Sequence, residues 1–207
     1  MARSASGTQL PGVEERLVAT ASELFYREGV RAVGIQRVID EAGIAKASLY
    51  AHFDSKDDLV AACVDKRVSH WRSHVDDHLQ RSPLDARGKL LLFFDLLGEL
   101  IAGPEFRGCP LQSVSAEIAD PDHPAKRVLA GHRHWLHDLV KTLTKQAGLQ
   151  PVDAVAGALV VLSDGALAAA LVDGNPGMAV HARWAAERLI DASRAATPRR
   201  RATSRRR

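Results

Sequence analysis

Lys46, Ser48, Tyr50 and His52 fall within seven consecutive residues, and each carries a group that can donate a hydrogen bond to a phosphate oxygen or to the edge of a base. Ala47 and Ala51 stand among them. Alanine is small enough to let a helix lie deep in a major groove, where its methyl group can touch that of thymine. Lys46 comes where this helix should begin, beside backbone N–H groups that have no partner within the helix and favour a phosphate. Ala45, at the expected N-cap, offers no side-chain acceptor, so either a phosphate or water satisfies those donors or the first turn frays.

Two short helices must position these residues. Ile35, Val38, Ile39 and Ala42 share one helical face that stops at Gly43, the residue type that takes a left-handed conformation without a Cβ clash. Ile44 then falls where a Schellman ending returns an apolar side chain to Val38 or Ile39. In the second helix Leu49 and Phe53, one turn apart, point inward, leaving Lys46, Ala47, Tyr50 and Ala51 on the opposite face. An amphipathic helix precedes the pair, with Val13, Leu17, Ala21, Leu24 and Phe25 at helical spacing and Gly29 closing it. The pattern is that of a helix-turn-helix.

From Ala42 to Leu59 the chain reads Ala-Gly-Ile, four small or variable residues, Leu-Tyr, two residues and Phe, then Asp54, Ser-Lys, an acidic pair and Leu. This run resembles the signature of the TetR family of bacterial transcriptional regulators and covers the first third of the chain. The resemblance implies an all-α fold: an N-terminal three-helix helix-turn-helix head, its first helix packed across the other two, and a larger helical body for ligand binding and dimerisation. It also implies contacts to double-stranded DNA from Gln36, Lys46, Ala47, Ser48, Tyr50, His52 and Lys56. Gln36 suits bidentate reading of adenine, and Lys46 suits guanine acceptors or a phosphate. The chain departs from the family at Gly34, where many members have a threonine hydroxyl for a phosphate, and at Ala45 and Ala47, where serine and glycine are common.

Bulk charge does not by itself point to DNA. The net charge is +3, but six arginines in the last nine residues carry it, and the remainder sums to −3. Residues 1–60 hold seven basic side chains against nine acidic ones. The case rests on placement, because Lys46 and Lys56 flank the recognition helix while Glu14, Glu15, Glu23 and Glu28 lie on the first helix.

Beyond Ser55 long periodic apolar segments alternate with short Pro/Gly breaks, which predicts helices throughout. Ser55 caps a helix running toward Trp71. Pro83 opens another that includes the apolar block Leu90–Ile101, a short helix ends near Asp120, and a long one runs from about His123 to Gln146. The helix 152–172 is rich in Val, Leu, Ala and Gly. The resemblance implies that it and the last helix, to about Ala195, pair with a second subunit through Ala156, Leu159, Ser163, Leu167 and Ala170; the alternative is a helix buried within its own subunit. The domain organisation expected is residues 1–11 disordered, 12–58 a DNA-binding domain, 59–196 an effector-binding and dimerisation domain, and 197–207 a disordered Arg-rich tail able to attract DNA.

Trp71, Phe93, Phe94, Leu97, Leu111 and Trp135 are the expected lining of an apolar effector cavity, with plain core packing as the alternative. Asp95 and Glu99 form an acidic stripe open to solvent or to a cation. His132, His134, His137 and Asp138 lack the converging set that zinc needs, and Cys109 sits in no nucleophile signature, so neither a metal nor a catalytic residue is assigned. With no nucleotide-binding glycine loop or serine elbow, the chain is expected to be neither an enzyme nor dependent on a cofactor. The N-terminus lacks a signal-peptide core, and the longest apolar block, taken as Leu90–Ile101, falls short of a bilayer span, so a cytoplasmic protein with no membrane partner is expected. The combined expectation is a homodimeric repressor released from a pseudo-palindromic operator by an apolar small molecule.

Overall fold

Residues 12–194 are described by a computed structural model, and their regular structure is α-helical. The helices are α1 (Val13–Glu28), α2 (Ile35–Ala42), α3 (Lys46–Tyr50), α4 (Lys56–Arg81), α5 (Ala86–Ala102), α6 (Pro110–Glu117), α7 (Pro124–Gln146), α8 (Val152–Asp173) and α9 (Met178–Ala192). The expected disordered segments 1–11 and 197–207 lie outside the described residues.

Most boundaries follow from local chemistry, but α4 runs on to Arg81, past the expected Trp71, and α5 begins later than expected. α5 starts at Ala86 rather than Pro83 because Asp85 is the stronger cap: its carboxylate accepts the Gly88 N–H at 2.7 Å. Ser82 meanwhile accepts the Leu84 N–H and holds the preceding residues in a turn.

The chain divides into two compact units. Of the described residues, the first holds 12–80 together with Pro104–Trp135, and the second holds Arg81–Gly103 together with 136–194. The core of the first unit joins Leu17, Leu24, Val38, Leu49, Leu59 and Val60 of α1–α4 to Val114 of α6 and to Ala125 and Leu129 of α7. Burial of such side chains, at about 25 cal/mol per Å² of apolar surface, is the dominant favourable term. In this unit α6 and the start of α7 therefore pack with the helix-turn-helix.

In the second unit α8 packs on α9 and α5, and α5 on α9. Arg87 pairs with Asp191 at 2.7 Å and with Glu187 at 3.4 Å, and Arg183 pairs with Asp95, so three ion pairs link α5 to α9. Asp95 is thus engaged by a cation of its own chain. Val155, Ala156, Leu159, Val160, Ser163, Ala166 and Ala170 form the buried face of α8.

Two expectations about α8 are corrected here. The stripe proposed for a partner subunit is mostly used within this subunit: Ala156, Leu159, Ser163 and Ala170 are buried, and Leu167 is half-buried. The face left open is the opposite one, with Val161 68% and Val172 82% exposed and Gly165 between them. The longest apolar segment is also α8 rather than Leu90–Ile101. Its 22 residues include an 18-residue window with a mean hydropathy of 2.1, so it is long and apolar enough to cross a bilayer by length and composition. Its inner face is occupied by packing against α5 and α9, as in the core helix of a bundle.

Candidate nucleic-acid interface

The turn between α2 and α3 forms as its residues dictate. Gly43 takes φ 63° and ψ 43°, its N–H bonds to Asp40 O, and the Ile44 N–H reaches back to Ile39 O at 3.3 Å. These are the two bonds of a Schellman ending. α3 is short, but the Phe53 N–H donates to Leu49 O at 2.9 Å and carries the coil one turn past Tyr50. Leu49 is fully buried and Phe53 nearly so, which fixes the rotation of the turn.

That rotation exposes Lys46, Ala47, Tyr50, Ala51 and His52, with Ser48 half-exposed. Gln36, on α2, is exposed as well. The structure therefore brings six of the seven expected DNA contacts to the surface of one helix-turn-helix. The Lys46 ammonium lies 6.0 Å from the Tyr50 ring centroid, a loose cation–π contact that a phosphate can replace. The Gln36 amide donates to Asp40 Oδ1 at 2.9 Å, and His52 Nδ1 is 3.7 Å from Glu14 Oε2. Both are exposed pairs of small worth, so the side chains can turn outward at little cost. Neither Gly34 nor Ala45 supplies a side-chain cap, and the first N–H groups of α2 and α3 carry no side-chain partner at those positions.

Lys56 is placed differently. Its ammonium donates to Val30 O at 2.6 Å and lies 5.8 Å from the Phe25 ring centroid, so it ties the start of α4 to the loop after α1. Arg37 is also committed: its guanidinium binds both carboxylate oxygens of Glu28 and, through Nε, Glu41. Those carboxylates hold its pKa above the ordinary arginine value. Within this unit Lys46 is the cation that the helix-turn-helix presents on its outward face.

Two side chains from outside the helix-turn-helix brace it. Glu117, at the end of α6, accepts the Arg31 N–H at 3.0 Å, and His123 Nε2 lies 3.3 Å from Asp57 Oδ1 at the start of α4. The Ala125 N–H donates to His123 Nδ1, which leaves Nε2 as the protonated nitrogen facing Asp57. No local pattern in the sequence marks Glu117 or His123 as a partner of the head.

The expected effector-lining residues are divided between the units. Trp71, Leu111 and Trp135 are half-buried in the first, where Leu111 packs on the core, while Phe93, Phe94 and Leu97 are buried in the second. A cavity of about 30 Å³ does occur in the first unit, between α1, α4 and α6, and none of the six lines it. Cys63 borders it with its thiol pushed up to about 12 by burial, which keeps the sulfur protonated and unreactive at neutral pH.

The profile of the bacterial regulatory proteins of the tetR family matches residues 17–63. The crystal structure of a TetR-family transcriptional regulator from Streptomyces coelicolor superposes with a TM-score of 0.83 at 34% identity, covering 87% of this chain and 95% of that one. The chain belongs to the TetR family. The stretch matched in this TetR-family chain runs from α1 into α4 and contains every residue of the expected DNA face. Two curated relatives are the HTH-type transcriptional activator FasR of Mycolicibacterium smegmatis, 37% identical over 97 residues, and the HTH-type transcriptional repressor KstR2 of Rhodococcus jostii, 43% identical over 83 residues. The chain spans 44% of the length of the first and 38% of the second.

Proposed function

We propose that this TetR-family chain is a homodimeric transcriptional repressor that binds a pseudo-palindromic operator and is released from it by a small molecule. The observation that carries the reading is the outward set of Lys46, Ala47, Tyr50 and His52 over a fully buried Leu49. Ala47 allows close approach to the floor of the groove, Tyr50 and Ser48 donate to phosphate or base, and Gln36 on α2 reads an adenine or positions the backbone. Lys56 acts one step back, holding α4 to Val30. DNA reading is assigned to residues 12–58, and effector binding and dimerisation to the helices that follow.

Dimerisation is supported by the open side of α8 and α9. Val161, Gly165 and Val172 on α8 and Val180 and Trp184 on α9 present an exposed apolar surface, with Trp184 64% exposed. A monomer rarely leaves so many large apolar residues together in water, and one recognition helix reads too few base pairs alone. Repression is the simpler outcome because occupying a promoter requires DNA binding and nothing further. Release requires an effector that favours the state with lower DNA affinity.

A gel shift with the DNA upstream of the chain's own coding region, combined with sedimentation of the free protein, tests both parts. A retarded band that resists nonspecific competitor, and a free protein of twice the chain mass, are expected. A monomer that shifts all DNA alike contradicts the proposal.

A further inference from the structure

We propose that the cavity between α1, α4 and α6 is a binding site for a small organic monocarboxylate, with the Arg67 guanidinium as its counter-ion. Its walls are apolar where Phe25, Val60, Val64 and Val114 face it. Arg67 enters from α4, half-buried, with its guanidinium carbon 3.6 Å from the Tyr26 ring centroid and its Nε donating to Ser22 Oγ at 3.2 Å. Both of these partners are neutral. Burial is the main influence on the group and pulls its pKa down, and the carboxylates of Glu23 and Glu105 offset this only at longer range. A cation has therefore been drawn out of water beside an apolar hollow without a bonded anion at these contacts, an arrangement that a ligand's charge would complete.

The geometry also restricts the ligand class. The Tyr26 ring is fixed because its hydroxyl donates to Gly108 O at 2.9 Å and accepts the Arg107 N–H at 2.8 Å, so the guanidinium stacked on it has a defined plane. With Nε taken by Ser22, the Nη pair is the edge a planar carboxylate meets with two parallel bonds. One cation balances one negative charge, and Glu117 at the same cavity disfavours a second. This argues against phosphate dianions and dicarboxylates. The small volume, about 30 Å³, favours a compact ligand of a few heavy atoms over a large aromatic body.

Occupancy would act on the DNA-binding unit itself. α6 carries Glu117, which holds the Arg31 N–H, and α4 begins directly after the recognition helix, so a ligand between them alters how α6 braces the head. This regulatory consequence rests on the repressor reading above, whereas the binding site does not.

The test uses the full chain without DNA, titrated calorimetrically at constant ionic strength with sodium propionate and, separately, with propionamide, its neutral isostere. Saturable propionate binding is expected, with propionamide at least ~10-fold weaker, since a charge-assisted hydrogen bond is worth roughly 1.5–3 kcal/mol. Arg67→Gln should weaken propionate by a similar factor. Ser113→Leu, which keeps Arg67 and puts a larger side chain on the cavity wall, should abolish binding and provides the decisive arm if the Arg67 variant does not fold. Absent binding, equal binding of propionate and propionamide, or unchanged binding by Ser113→Leu overturns the site. A gel shift run in parallel separates the two readings, because propionate binding by a protein that ignores DNA sinks the repressor reading and leaves the site standing.

Discussion

The Glu117 carboxylate accepts the backbone N–H of Arg31 at 3.0 Å across 86 residues of sequence, and it lies against Gly29 in the same loop. A Cβ on Gly29 would fall 3.1 Å from both carboxylate oxygens, and its φ of +90° disfavours any side chain. Glycine here lets the carboxylate approach the loop that joins α1 to α2.

Glu117→Ala should therefore lower stability by about 1 kcal/mol, the usual worth of one hydrogen bond. Gly29→Ala should cost more, because it adds backbone strain of roughly 1–2 kcal/mol to the crowding. The double variant should lose less than the sum, since removing Glu117 also removes the clash. Urea melts of the four proteins measure this, and strict additivity would mean that the contact is not formed.

Lys46→Ala and Tyr50→Ala should each weaken operator binding and leave the melting temperature unchanged, because both side chains are exposed. Leu49→Ala should destabilise the head by about 2–5 kcal/mol, as for other buried leucines. Equal loss of stability in all three would show that the two faces of α3 have been exchanged.

Much of this head is legible in sequence because its determinants are local. Gly43 ends α2, and the one-turn spacing of Leu49 and Phe53 sets which side of α3 is buried. Lys56 was not legible as a brace, since its partner is a carbonyl 26 residues earlier and a lysine after a recognition helix reads equally as a phosphate contact. The face of α8 was not legible either. Its two sides are both apolar and small, so periodicity cannot choose between them, and packing against α9 and α5 decides. The association of α6 with the head depends on Glu117 and His123 meeting distant partners, which no local pattern encodes.

Gly165→Glu should split the proposed dimer, because Gly165 is on the open face of α8 and a side chain there meets open space within the subunit. Helix content should be unchanged by circular dichroism while sedimentation reports a monomer. Leu159→Glu should instead unfold the second unit, since Leu159 is fully buried. A stable Gly165→Glu dimer would move the interface elsewhere.

His132 makes stability depend on pH in the acid range. Its Nδ1 accepts the Arg72 Nε–H at 3.2 Å, and burial, with the nearby Arg72 and Arg133 charges, pulls its pKa down to about 4. The unfolded chain then binds a proton that the folded chain refuses between about pH 6.5 and 4. This contribution is fully present above pH 6.5 and declines as pH falls, by at most about 1.4 kcal/mol per pH unit. His132→Asn should flatten that part of the stability profile in denaturant melts taken across this range, and an unchanged slope would assign the dependence to other groups.

The most direct measurement is fluorescence anisotropy of a labelled duplex from the region upstream of the coding sequence, titrated with the wild-type chain and with Tyr50→Ala. The wild type should saturate the duplex in the presence of excess nonspecific competitor, and Tyr50→Ala should bind at least ~10-fold more weakly, the effect of losing one or two specific contacts. Wild-type and Tyr50→Ala curves that coincide would show that the outward face of α3 does not read DNA.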